Sequence, residues 1–137
     1  MPARSKARKR ALELLFEAEQ RGLNIGDLLQ ERVAVPTTQH PLPDYTVQLV
    51  QGVIERWNEI NEVLTTYSHG WSLERMPSVD RAALRIGTWE IVWNDQVPDA
   101  VAIAEAVALV QGMSTDESPR FVNGLLARVA EIKPTLV

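Results

Sequence analysis

The sequence predicts an all-α protein of six or seven helices, packed as one or two small bundles. Three observations carry that reading. Turn-forming residues cut the chain into stretches of about 8 to 23 residues, lengths that favour helices over strands. Within them apolar residues recur at helical spacing, and the strict alternation of a half-buried strand is absent. With 137 residues, 45% hydrophobic and 23% charged, the chain is ordinary for one globular domain, 1–137, with a core of its own.

The first helix follows from Ala11, Leu14, Leu15, Ala18 and Gln20 on one side and Glu13, Glu17 and Arg21 on the other. "GLNIG" at 22–26 ends it, and "PTTQHPLPD" at 36–44 reads as a Pro-rich loop. Next, Val50, Val53, Trp57, Ile60, Leu64 and Tyr67 are spaced 3, 4, 3, 4, 3, an amphipathic seam that Gly52 or the Trp57-Asn58 region bends or splits in two. Residues 79–95 form a helix with Trp89 and Trp93 at i, i+4, a spacing that suits core packing first and a partner surface second. "AVAIAEAVALVQ" at 100–111 is apolar except for Glu105 and Gln111, which predicts a helix buried on most sides, with Asp99 as its N-cap.

The last stretch, "SPRFVNGLLARV" at 118–129, carries two signals that disagree. Asn123-Gly124 is a strong hairpin signal, because both residues tolerate positive φ. Ser118-Pro119 reads instead as a helix start, with Ser as N-cap and Pro at the first helical position. Phe121, Val122, Leu125, Leu126 and Val129 decide the matter by their helical spacing. Gly124 therefore sits inside a helix at a cost of about 1 kcal/mol relative to Ala, and commonly such a glycine admits a close backbone or a ligand.

Composition excludes several kinds of chemistry. There is no cysteine, hence no disulfide, zinc–thiolate site or cysteine nucleophile, and only His40 and His69 remain as imidazole ligands. No phosphate-cradling, nucleophile-elbow or metalloprotease motif occurs. The acidic pairs Glu59/Glu62 and Asp116/Glu117 read as solvated or dipole-compensating charges, and His69 as a loop residue. No enzyme activity, cofactor or metal is expected. Nor does any apolar run approach the ~20 residues that span a bilayer. Glu13, Glu17 and Glu19 rule out a signal-peptide core after the basic start, so a cytoplasmic location and no membrane contact are expected.

Charge is the informative quantity. Net charge is −4, yet "MPARSKARKR" holds Arg4, Lys6, Arg8, Lys9 and Arg10 and no acid. Removing those five leaves 9 bases against 18 acids, so a +5 arm precedes a −9 body. Five bases at a helix N-terminus oppose the macrodipole and are not explained by helix stability. Phosphate binding explains them through counterion release, and a solubilising, partly disordered terminus is the plainer alternative. For single-stranded RNA a flat side chain beside a base is also wanted, and Phe121 next to Arg120 qualifies unless it belongs to the core.

Read together, "DAVAIAEAVALVQGMSTDESPRFVNGLLARV", "DRAALRIGTWEI" and "ARSKARKRALELLFEAE" resemble, over essentially the whole length, the NusB family of transcription antitermination factors. The resemblance implies two packed three-helix bundles. It further implies binding of the boxA element of nascent ribosomal RNA, together with the small-subunit ribosomal protein NusE, within the RNA polymerase antitermination complex. On that resemblance Arg4, Lys6, Arg8, Lys9 and Arg10 match the RNA-contacting arm. Arg120, Phe121 and Asn123 fall in the matching C-terminal helix, near the same RNA surface. Phe16, Glu74, Arg75 and Asp80 match the surface that meets NusE. Ala104 and Ala100 stand where the family usually has Asn and Lys. Members differ in oligomeric state, so a homodimer stays open, with Trp89 or Trp93 in the core or at the dimer surface.

Two rivals remain. NusB-like domains precede ribosomal RNA cytosine methyltransferases, but such an enzyme needs a cofactor domain and catalytic cysteines, neither of which is expected here. A stand-alone helical dimerisation module with an incidental basic arm is the other. A membrane-surface helix is disfavoured by Glu13 and Glu17 among Leu12, Leu14, Leu15 and Phe16.

Overall fold

The computed structural model describes residues 2–35 and 40–136, so most of the predicted 36–44 loop, residues 36–39, lies outside the described residues. Every regular element among the described residues is helical. Seven α-helices follow in order: α1 (Ala3–Arg21), α2 (Ile25–Ala34), α3 (Asp44–Glu55), α4 (Trp57–Tyr67), α5 (Ser78–Trp93), α6 (Asp99–Val110) and α7 (Ser118–Ile132). Short 3₁₀ turns span Leu73–Arg75 and Lys133–Thr135.

Local chemistry sets the boundaries. Gly22 ends α1 in the left-handed conformation at φ 64°, and its amide and that of Leu23 bond back to the last turn. Asn24 caps α2, its Oδ1 accepting from the Asp27 amide at 3.0 Å. The long third seam does split, at Arg56 (φ −109°, ψ 21°), which separates α3 from α4.

Helices α1, α2 and α3 pack on one another, as do α5, α6 and α7, giving two three-helix bundles. Helix α5 also packs against α1 and α3, and twelve of its sixteen residues are buried. It is the shared axis, and α4 lies against α5 and α7 as the seventh helix. The closest approach is at Gly52, where a Cβ would fall 2.1 Å from Trp89 Cε2. Trp89 is therefore core, whereas Trp93 is half-buried with the Arg56 guanidinium 5.3 Å from its ring.

Four local expectations are corrected. Only Ala102, Ala106, Leu109 and Val110 of α6 are buried, and Ala100, Val101, Ala104 and Ala108 face outward. Alanine-rich composition conceals an ordinary one-sided helix. Asp99 opens α6 without capping it, and takes Lys133 Nζ at 3.1 Å instead. Gln20 is exposed rather than part of the inner stripe of α1. Helix α7 contains Asn123-Gly124 as expected, but no atom lies within 4 Å of a Cβ built on Gly124. That glycine faces open surface and admits no other backbone of this chain.

Candidate nucleic-acid interface

The basic arm is helical from Ala3 onward, not a loose tail. Its side chains go to different places. Arg4, Lys6 and Lys9 are exposed, and Arg10 is half-buried with Glu13 Oε1 at 3.8 Å. Arg8 is 2% exposed and points inward. Its Nε donates to both oxygens of Glu90 at 3.0 and 2.9 Å, and its Nη1 to Glu105 Oε1 at 3.1 Å. An arginine so placed is a strut between α1, α5 and α6, which corrects the expectation that it meets RNA.

Tyr45 completes that buried cluster by donating its hydroxyl to Glu90. Burial and that hydrogen bond push the Tyr45 hydroxyl above its ordinary range. Burial works to lower the Arg8 guanidinium, but its hydrogen bonds to Glu90 and the nearby negative charge outweigh it and hold the charge more firmly than usual. Arg4 lies over the Tyr45 ring at 4.5 Å, so even the exposed part of the arm is oriented by an aromatic face.

A second surface forms where the loop after α4 meets the start of α7. His69 (φ 50°) and Gly70 (φ 85°) turn the backbone, and Ser68 Oγ donates to the Trp71 carbonyl, so Trp71 is presented outward at 49% exposure. Its ring meets that of Phe121 at 5.1 Å between centroids, tilted by 44°. Phe121 is half-buried, with one side against the core and the other toward this pair. Arg120, Arg128, Gly124 and His69 join the two rings around a cavity of about 330 Å³. Arg120 and Asn123 are exposed, and Arg128 is fixed by donating to the Tyr67 carbonyl at 2.9 Å. Trp71 is a residue that sequence reasoning missed. The cue was available in "SHGWS", a tryptophan placed just after a glycine turn, where no helical seam could bury it.

The residues matched to a protein-partner surface separate in the same way. Glu74 and Arg75 lie exposed in the Leu73–Arg75 turn, and Phe16 of α1 is 37% exposed. Arg81 ties that turn to α1, donating to the Leu73, Glu74 and Met76 carbonyls while pairing with Glu19. Asp80 is 1% exposed, which corrects its expected place on the outer surface. Its Oδ2 accepts from Ser118 Oγ at 2.8 Å, and its Oδ1 has no hydrogen-bond partner. Ser118 also accepts from the Thr115 amide at 3.2 Å. It thus locks the start of α7 to the start of α5, where an N-cap was expected.

No hydrogen bond, ion pair or ring contact among the described residues joins the basic arm to the Trp71–Phe121 pair. Among those residues no group of three or more acidic or histidine side chains could hold a metal ion, and no helix is long and apolar enough to cross a membrane.

Fold and surface together define a class: an all-helical scaffold that presents basic and aromatic side chains at the ends of its helices. The sequence model described as the NusB family matches residues 5–131, and the chain belongs to that family. It is 57% identical over 137 residues to the transcription antitermination protein NusB of Pseudarthrobacter chlorophenolicus, covering 100% of this chain and 99% of the relative. It is 58% identical to that of Kineococcus radiotolerans, covering 99% and 98%. Among solved structures it is similar to T. maritima NusB, with 30% identity, a TM-score of 0.81 and 96% and 92% of the two chains covered. It is also similar to a chain in the crystal structure of antitermination factors NusB and NusE in complex with dsRNA, with 26% identity, a TM-score of 0.79 and coverage of 93% and 96%.

Proposed function

We propose that this chain is a non-catalytic antitermination factor that acts as one RNA-binding domain, 1–137, in the cytoplasm. It binds the boxA element of nascent ribosomal RNA jointly with the NusE ribosomal protein, as part of the RNA polymerase antitermination complex. The observation that carries the RNA reading is the Trp71–Phe121 pair, half open to solvent and flanked by Arg120 and Arg128. Aromatic faces stack on unpaired bases and arginines meet the phosphates between them. Arg4, Lys6 and Lys9 add salt-sensitive affinity. Phe16 offers NusE an exposed aromatic, and Glu74 and Arg75 offer exposed charges of both signs. Two weak contacts to a joined RNA–protein partner gain from effective concentration.

The test is binding of a boxA RNA and a scrambled RNA of equal length, at two salt concentrations, with and without NusE. Preference for boxA that grows with NusE is expected. W71A should weaken boxA binding roughly five- to a hundredfold, the worth of one stacked base. Replacing Arg4, Lys6 and Lys9 by Ala should flatten the log–log salt dependence by about one unit per lost phosphate contact. Equal binding of both RNAs would refute the boxA reading, and an RNA affinity indifferent to NusE would refute the coupling.

A further inference from the structure

Between the end of α1, the start of α2 and the α3–α4 break lies a cavity of about 420 Å³, inside the size range of small-molecule sites. Leu15, Leu23, Ile25, Ile54 and Trp57 give it apolar walls, and Arg85 of α5 and Glu19 of α1 line it too. Arg85 is only 8% exposed. Its guanidinium stacks on the Trp57 ring at 4.2 Å, and its Nε donates to Asn61 Oδ1 at 3.1 Å. Neither terminal nitrogen has a hydrogen-bond partner among the described residues. Nη1 stands 3.7 Å from Glu19 Oε2, too far for a hydrogen bond, because Arg81 already donates to both Glu19 oxygens. One carboxylate thus serves two guanidinia, and a buried cation with open donors is left beside an apolar hollow. Burial has lowered the Arg85 pKa to about 10, so the group stays charged at neutral pH.

We propose that this cavity binds a small monocarboxylic acid with an apolar body, its carboxylate accepting from the Arg85 terminal nitrogens and its body lying against Trp57, Ile54 and Leu23. The planar fork of arginine matches a carboxylate, and a single negative charge balances the one positive charge left over when Glu19 is shared between Arg81 and Arg85. Because Glu19 stands at the same place, a dianionic phosphate would meet about twice the repulsion that a monocarboxylate meets there. None of these residues belongs to the RNA interface, so the site stands or falls separately from that reading.

The experiment titrates the full chain with indole-3-acetate, with octanoate, and with indole-3-acetamide as the neutral control, following backbone amide shifts. Saturable binding of at least one acid is expected, with shifts at Leu23, Ile25, Ile54 and Trp57. Indole-3-acetamide should bind at least about tenfold more weakly than indole-3-acetate, the worth of a charge-assisted hydrogen bond. R85Q should abolish the preference for acid over amide. Leu23 is 39% exposed, so its variants spare the fold: L23E should weaken acid binding and L23K strengthen it, each about threefold. Equal affinity for acid and amide, shifts confined to other surfaces, indifference to both Leu23 variants, or no saturable shift with either acid would overturn the proposal.

Discussion

At Gly52 the lack of a side chain lets the Trp89 ring lie flush against α3, whereas a Cβ added at Gly124 would meet nothing within 4 Å outside its own helix. The two glycines therefore answer an added methyl in opposite ways. G52A should lose about 2 kcal/mol or more through overpacking of the Trp89 contact. G124A should gain up to about 1 kcal/mol from helix propensity alone. Urea midpoints of the two variants, read against the parent chain, check both signs. In the sequence the two positions look alike, each a glycine within a helical seam, and only the tertiary neighbour separates them. Arg8 was more legible than its reading allowed. It shares the helical phase of Ala11, Leu12 and Leu15, all buried, so periodicity already pointed it inward while the run of positive charge suggested otherwise.

Among elements, the join between α1 and α2 rests on Glu17. It accepts from Arg32 at 2.8 and 2.6 Å and from Arg21 at 2.5 Å. Hydrogen bonds from Arg32 and then Arg21 hold its carboxyl at about 2, against an ordinary 4.5. The folded state therefore resists protonation that the unfolded chain accepts, and the join stabilises fully above pH 4.5. Its contribution fades as pH falls from 4.5 toward 2. Solvent screening keeps it near 1 kcal/mol. E17Q should accordingly unfold at lower urea than the parent at pH 6, and the gap should narrow toward pH 2.5. Helix existence was legible for α1 and for α3 to α7, where the apolar spacing survives every local exception. No such seam singles out α2, whose first residue Ile25 falls within the "GLNIG" stretch read as a break. Helix ends were less so. Ser118 and Asp99 have the residue types of N-caps, yet each spends its side chain on a distant partner, Asp80 and Lys133, that no local pattern reveals.

Across the whole molecule, the Ser118–Asp80 bond links α7, the helix proposed to face RNA, to the start of α5, beside the proposed partner surface. S118A removes the hydrogen bond that Asp80 Oδ2 accepts and should cost about 1–3 kcal/mol, measured by denaturant unfolding. Under the proposed function it should also reduce the gain in RNA affinity that NusE confers, read by comparing RNA binding with and without the partner. The candidate site was half legible in these terms. Charge bias marked the arm and the C-terminal motif marked Arg120 and Phe121, but Trp71 comes from a loop whose placement depends on two consecutive left-handed residues, His69 and Gly70. Arg8 lies 82 residues ahead of Glu90 in the chain, and the two meet in the interior. Both carboxylates that hold Arg8 come from the second half of the chain, Glu90 on α5 and Glu105 on α6. A fragment ending before α5 would lack the buried partners of Arg8, and its helices should be less stable alone than in the full chain.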